Sequence, residues 1–186
     1  MRFLYHGLRG WFAARNRAPT KELQKQLTPH IFHSRAGLLD IDVNLHLNNA
    51  SLILATEFAR WNFIAGTDLA GAALNKKWSF MVGSQAVRYR HEISAFRKYQ
   101  VKTELVAADE SWLWLRHTVH SGGRCCAHVL ARVIIKEGRA TVPAKEILRL
   151  VGVDANFVPN PETSSEVAGF LIWDSDAAIQ MKNNTI

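Results

Sequence analysis

The stretch Asn49-Ala-Ser-Leu-Ile-Leu-Ala-Thr-Glu-Phe-Ala-Arg-Trp-Asn-Phe-Ile-Ala65 decides the fold. It contains neither glycine nor proline. Its apolar residues, Ala50, Leu52, Ile53, Leu54, Ala55, Phe58, Ala59, Trp61, Phe63 and Ile64, fall on nearly every side of a helical wheel. A helix that is apolar almost all round is buried on most sides. Asn48 or Asn49 supplies the start, because an Asn side chain accepts from amides that lack an intrahelical partner. Gly66 supplies the stop.

Strand signals flank this helix. Thr28 to Leu39 reads as a first strand, and Asp40 to Asn48 as a polar loop. Downstream, Trp78–Ile93, Tyr99–Ala108, Trp112–Ser121 and Arg124–Glu137 read as strands. In the last, Cys125, Ala127, Val129, Ala131, Val133 and Ile135 alternate with Arg124, His128 and Arg132, so one face is buried and the other is wet or covered. Turns at Asp109-Glu110-Ser111 and Ser121-Gly122-Gly123 imply a meander of antiparallel strands. Ala144 to Val151 suits a second helix. Residues 152–186 read as an irregular tail whose patch Phe170-Leu171-Ile172-Trp173 docks back. One buried helix with a single sheet to cover it predicts an α+β hotdog arrangement, an antiparallel sheet curled around one central helix. Open sheet edges then predict a homodimer or a dimer of dimers.

The chain of 186 residues is one domain in length, and 48% hydrophobic with 21% charged residues is a globular composition. No apolar run approaches the ~18 residues of a spanning helix. Cys125 and Cys126 are adjacent, so on a strand they point to opposite faces and do not bridge; this usage fits a reducing, cytoplasmic setting. The net charge of +7 is unevenly spread: +6 over residues 1–35, balanced over 36–110, +5 over 111–150 and −4 over 151–186. Residues 1–27 form a basic N-terminal segment, 28–151 the hotdog domain and 152–186 the tail. In the first of these, Arg2, Arg9, Arg15 and Arg17 accompany Leu4, Leu8, Trp11 and Phe12 at helical spacing. That pattern suits a short helix packed on the domain, a peripheral membrane-surface helix, or a mitochondrial transit peptide.

The densest polar cluster is Asp40-Ile-Asp-Val-Asn-Leu-His-Leu-Asn-Asn49, directly before the buried helix. A helix N-terminus offers unpaired amides that stabilise a developing oxyanion. A carboxylate beside it, Asp42, can act as nucleophile or as general base toward water. His46 can orient the substrate or carry a proton. The same residue types also serve as ordinary caps and turns.

This segment resembles the D-x-D-x-x-x-H-x-N-N-A signature of hotdog-fold thioesterases of the 4-hydroxybenzoyl-CoA thioesterase-like group, and is close to the D-x-D-x-N-x-H-x-N-N stretch of plant acyl-ACP thioesterases. Glu57-Phe58-Ala59-Arg60 resembles the E-x-A-R that follows on the helix of bacterial relatives. The resemblance is strong over residues 38–60. It implies an acyl-CoA or acyl-ACP thioesterase with Asp42 as the catalytic carboxylate. Asn44 and His46 match further site residues, Asn48 and Asn49 the junction that presents the oxyanion-binding amides, and Glu57 the helix glutamate. Leu52 departs from the Tyr that many relatives carry.

Such a substrate presents phosphates, for which Arg88, Arg90, Arg97 and Lys98, with His91 and Arg124, are candidate donors. The acyl chain needs an apolar slot, sought near Phe58, Trp61 and Phe80. No metal spacing stands out: His117 and His120, like His30 and His33, fall on opposite strand faces. No cofactor is expected. A nucleic-acid reading of the basic N-terminus lacks any aromatic RNA-binding motif. A non-catalytic hotdog module that binds acyl-CoA or lipid is the competing function.

Overall fold

The computed structural model describes residues 29–183. The readings of residues 1–27 therefore lie outside the described residues. The elements are β1 (His30–Arg35), α1 (Asn49–Ala65), α2 (Asp68–Lys76), β2 (Trp78–Tyr89), β3 (Lys98–Ala108), β4 (Trp112–Ser121), β5 (Arg124–Glu137), β6 (Ala140–Thr141), α3 (Ala144–Leu150) and α4 (Ser165–Asn183).

The sheet is antiparallel, in the order β1-β3-β4-β5-β2, with β6 pairing on β5. It curls around α1, as the apolar wheel of that helix requires: from Ser51 to Ala65 no residue of α1 is exposed. Asn48 caps the helix, its Oδ1 accepting from the Ala50 amide at 2.8 Å, and Gly66 closes it. This is the hotdog arrangement.

Three expectations change. The meander holds for β3, β4 and β5, but β2 is not next to β3; it lies at the far edge against β5. The connection over residues 90–97 is long enough to cross the end of the sheet. Second, Asp68–Lys76 is a helix that the strand reading passed over. Thr67, Asp68 and the alanines around Leu69 supply its start and its weak apolar face, with Leu69 and Ala73 buried.

Third, the tail is not irregular. It holds two short helical turns and the 19-residue α4. The patch docks in part: Phe170, with Val167 and a partly buried Leu171 of α4, packs with Ala107, Trp114 and Leu130 on the convex sheet face, while Ile172 and Trp173 stay exposed. Ion pairs of Glu166 with Arg116 and His128, and of Asp174 with Arg132, flank the contact. This covering explains why both faces of β5 are buried, with Leu130 and Ile134 on one side and Val129 and Ala131 on the other.

The concave side divides along the helix axis. One apolar cluster gathers Phe32, Leu52, Phe58, Val101, Val119 and Val129. A second gathers Leu69, Trp78, Leu113, Ile135, Ile147 and Leu148. On three of the contributing elements a polar residue stands between the two: Thr103 between Val101 and Leu105 on β3, His117 between Val119 and Leu115 on β4, and Arg60 after Phe58 and Ala59 on α1.

Candidate active site

The Asp42 carboxylate is locked into its own turn. Its Oδ1 accepts from the amides of Asn44 at 2.9 Å and His46 at 3.3 Å. The turn closes through the Asp42 amide donating to the His46 carbonyl at 2.9 Å and the Leu45 amide to the Asp42 carbonyl at 3.0 Å. Leu45 takes the left-handed conformation, φ 59°, which an L-residue adopts at a cost of ~1–2 kcal/mol. It turns the chain so that the His46 amide faces back to Asp42. The Asp42 carboxylate and the backbone of Asn44 and His46 thus form one unit.

That unit is fixed to the start of α1. The Asn48 amide donates to the Asp40 carbonyl at 2.8 Å and the Leu47 amide to the Ile93 carbonyl at 2.7 Å. His46 bridges to Ser94. Exposed Glu92 lies beside His46; a hydrogen bond from its own backbone amide, then the charge of His46, hold its carboxyl below the usual range. Asn48 is the cap, with its side chain committed to the Ala50 amide. Asn49 opens the helix and is exposed.

The basic candidates share one end of the sheet with this turn. The antiparallel registers place Arg35 of β1, Lys98 of β3, Arg124 of β5 and Tyr89 of β2 at that end. Arg88, Arg90, Arg97 and Lys98 are all exposed. They do not form one knot. Arg88 and Arg90 sit at the β2 edge and Lys98 three strands away, so the charge is spread over roughly 14 Å at ~4.8 Å per strand.

Glu57 is a separate part of the site. Eight residues beyond Asn49, it lies about 12 Å further along the helix. It lines a small apolar slot between α1 and the concave sheet face, with a cavity of about 70 Å³. Trp61 and Phe80 line the slot as foreseen, in edge contact at 5.4 Å. Phe58 does not; it belongs to the cluster nearer the helix start.

Glu57 pairs with Arg60, as its spacing suggested. Arg60 continues the chain inward: its Nη1 lies 3.1 Å from His117 Nε2, and His117 Nδ1 lies 2.9 Å from Thr103 Oγ1. Arg60 is buried, and desolvation lowers its pKa to about 10, so it stays charged at neutral pH. His117 is fully buried; desolvation first, then the Arg60 charge, push its pKa well down. Sequence reasoning missed this pairing, having weighed His117 only against His120. The available signal was a histidine in register with the inward positions of β4.

The sequence model of the thioesterase-like superfamily matches residues 36–151. The protein THEM6 of Danio rerio is 28% identical over 137 residues, 73% of this chain and 68% of that protein. A probable thioesterase of Saccharomyces cerevisiae is 24% identical over 121 residues, 63% of this chain and 53% of that protein, so the chain spans about half the length of this relative. Among solved structures, a Staphylococcus aureus protein in complex with CoA superposes with a TM-score of 0.59 at 14% identity, over 82% of this chain and 96% of that one. At that identity the likeness is one of fold.

Proposed function

The chain belongs to the thioesterase-like superfamily, and from that premise we propose that it hydrolyses an acyl thioester of CoA or of an acyl carrier protein to the free acid and thiol. The observation that carries this reading is the Asp42 turn, with its carboxylate held by the Asn44 and His46 amides and its frame bonded to the start of α1. In this scheme the phosphates of the substrate lie over the basic sheet end. The acyl group enters the slot, and the thioester carbonyl lies against the amides that begin α1. Either Asp42 attacks that carbonyl, the C–S bond breaks and water then hydrolyses the resulting mixed anhydride, or Asp42 draws a proton from a water whose oxygen attacks the carbonyl as the C–S bond breaks. In both cases the proton taken from water ends on the thiolate. Asn44 shapes the turn, His46 orients the substrate or carries a proton, and Glu57 marks the slot wall.

A homodimer fits the same reading. β2 is an edge strand whose Met81 and Val82 are 53% and 38% exposed, and a second copy pairing there would cover both an open ladder and an apolar edge.

Asp42→Asn tests the assignment. It keeps an oxygen that can accept from both amides but removes the nucleophile and base. A thiol-release assay across short, long and aryl acyl-CoAs should show a loss of about 100-fold or more in kcat; a loss under tenfold would remove Asp42 from the chemistry. One observation favours a second reading, an acyl-CoA-binding module without turnover: Asn48 already occupies the Ala50 amide, one of those an oxyanion would use. Saturable acyl-CoA binding with no thiol release from any thioester would establish it.

A further inference from the structure

α4 covers only part of the convex sheet face. It packs on Ala107, Trp114 and Leu130, and the ion pairs of Glu166, in its first turn, reach Arg116 and His128. Past those residues a polar groove of about 520 Å³ runs over β3, β4 and β5, a volume in the ~300–1,000 Å³ range of small-molecule sites. Val101 and Val119 belong to the core around α1. Side chains alternate across a sheet, so their neighbours Gln100, Lys102, Thr118 and His120 face the other way and line the groove. The register fixes their spacing. Gln100 stands opposite His120, and Thr118 stands opposite Lys102 on one side and His128 on the other. Directly opposed side chains have Cβ atoms about 5 Å apart, so these five groups lie within the span of one small ligand. The next row, Glu104 opposite Arg116, closes the groove toward α4. His120 Nδ1 is buried and, among the described residues, meets no hydrogen-bond partner. A buried polar atom left in that state is costly.

We propose that this groove binds a phosphate group, free or as the monoester of a small molecule, at a site on the opposite side of the sheet from α1 and the slot. The lining is rich in donors: the Gln100 amide, the Lys102 ammonium, the Thr118 hydroxyl and the imidazoles of His120 and His128. Two cations, Lys102 and Arg116, stand there against one carboxylate, Glu104. Lys102 gives one bond to Glu104, at 2.9 Å, and keeps two of its three N–H donors for other acceptors. It also lies one row nearer to His120 than Glu104 does, so the ammonium stands between that carboxylate and an anion over Thr118 and His120. The shape of the donor set selects among anions. A planar carboxylate is matched by the fork of an arginine, and here Arg116 already gives its Nε to Glu104 and its Nη1 to Glu166. What remains are single donors converging from three strands, which suit the oxygens of a tetrahedral phosphate. One of those oxygens supplies the acceptor that His120 lacks. Among the described residues no three His, Cys, Asp or Glu groups come together to hold a metal ion, so the two histidines are read as donors. The proposal stands apart from the hydrolase reading, since none of these residues belongs to the Asp42 turn or to the slot.

The test titrates the full-length protein with inorganic phosphate and with glycerol 3-phosphate at constant ionic strength, read by calorimetry and by the ring resonances of His120. One anion per chain should bind, with a Kd of about 1 mM or tighter, and the His120 signals should shift along the same saturation curve. Lys102→Met and His120→Phe should each weaken binding about tenfold or more, the loss of a hydrogen bond to a charged group. Arg97→Gln, at the end of the sheet, should change it less than about threefold, because a distant exposed charge is screened. If Lys102→Met does not fold, Thr118→Val should show a loss in the same direction. Tighter binding of glycerol 3-phosphate marks a small phosphate ester as the ligand, and equal binding marks free phosphate. Failure of both anions to saturate the protein overturns the site. So does binding that Arg97→Gln weakens while Lys102→Met and His120→Phe leave it unchanged, since the phosphate would then sit at the sheet end.

Discussion

His117 Nε2 and Arg60 Nη1 lie 3.1 Å apart in the centre of the fold, and this contact fixes the charge state of the histidine. A cation that only donates sits on one ring nitrogen, so the ring is neutral there and protonated on the side of Thr103. Protonating it would bury a second positive charge against the first.

The contact predicts how stability responds to acid. Burial, and secondarily Arg60, hold His117 well below its ordinary value of 6.5. As pH falls, the unfolded chain therefore takes up this proton before the folded one. The contribution of the neutral ring is full above ~6.5 and is lost below it, by up to about 1.4 kcal/mol per pH unit until the folded protein itself titrates. Urea unfolding compared at about pH 7.5 and about pH 5 should show a steeper loss for the unaltered protein than for His117→Gln, which keeps a donor and an acceptor without titrating. Parallel losses in the two proteins would refute the assignment.

Capping and chemistry separate at Asn48. Its Oδ1 holds the Ala50 amide, and Ala in its place should cost about 1 kcal/mol of stability. Asp caps as well as Asn, so Asn48→Asp should keep stability within ~0.5 kcal/mol. It would also place a negative charge where the proposed oxyanion forms, and kcat should drop about tenfold or more. Unchanged turnover in Asn48→Asp would show that no anion develops at that helix end.

Apolar burial, rather than the ion pairs, should hold α4 on the sheet. Phe170 is 6% exposed against Trp114 and Leu130, and Phe170→Ala should cost about 3 kcal/mol. Glu166 bridges Arg116 and His128, but its side chain is 30% exposed, so Glu166→Gln should cost no more than about 1 kcal/mol. Denaturant unfolding of the two variants decides the order. A larger loss for Glu166→Gln would mean that the helix is held electrostatically.

The sequence alone determined the central helix and what it needs. An apolar wheel with Asn48 before it and Gly66 after it allows few outcomes other than a buried rod. Alternation over Arg124–Glu137 likewise specifies a strand, because side-chain periodicity is local. The Asp42-Asn44-His46 turn was legible for the same reason: its hydrogen bonds span at most four residues. Only the tertiary structure decided the rest. The placement of β2 beside β5 depends on a register made 38 to 59 residues away, and the docking of α4 on a convex face that the strands must first build. The Glu57–Arg60–His117–Thr103 chain joins one helix to two strands. No spacing rule links position 60 to 117, since those side chains meet only once the sheet has closed around the helix.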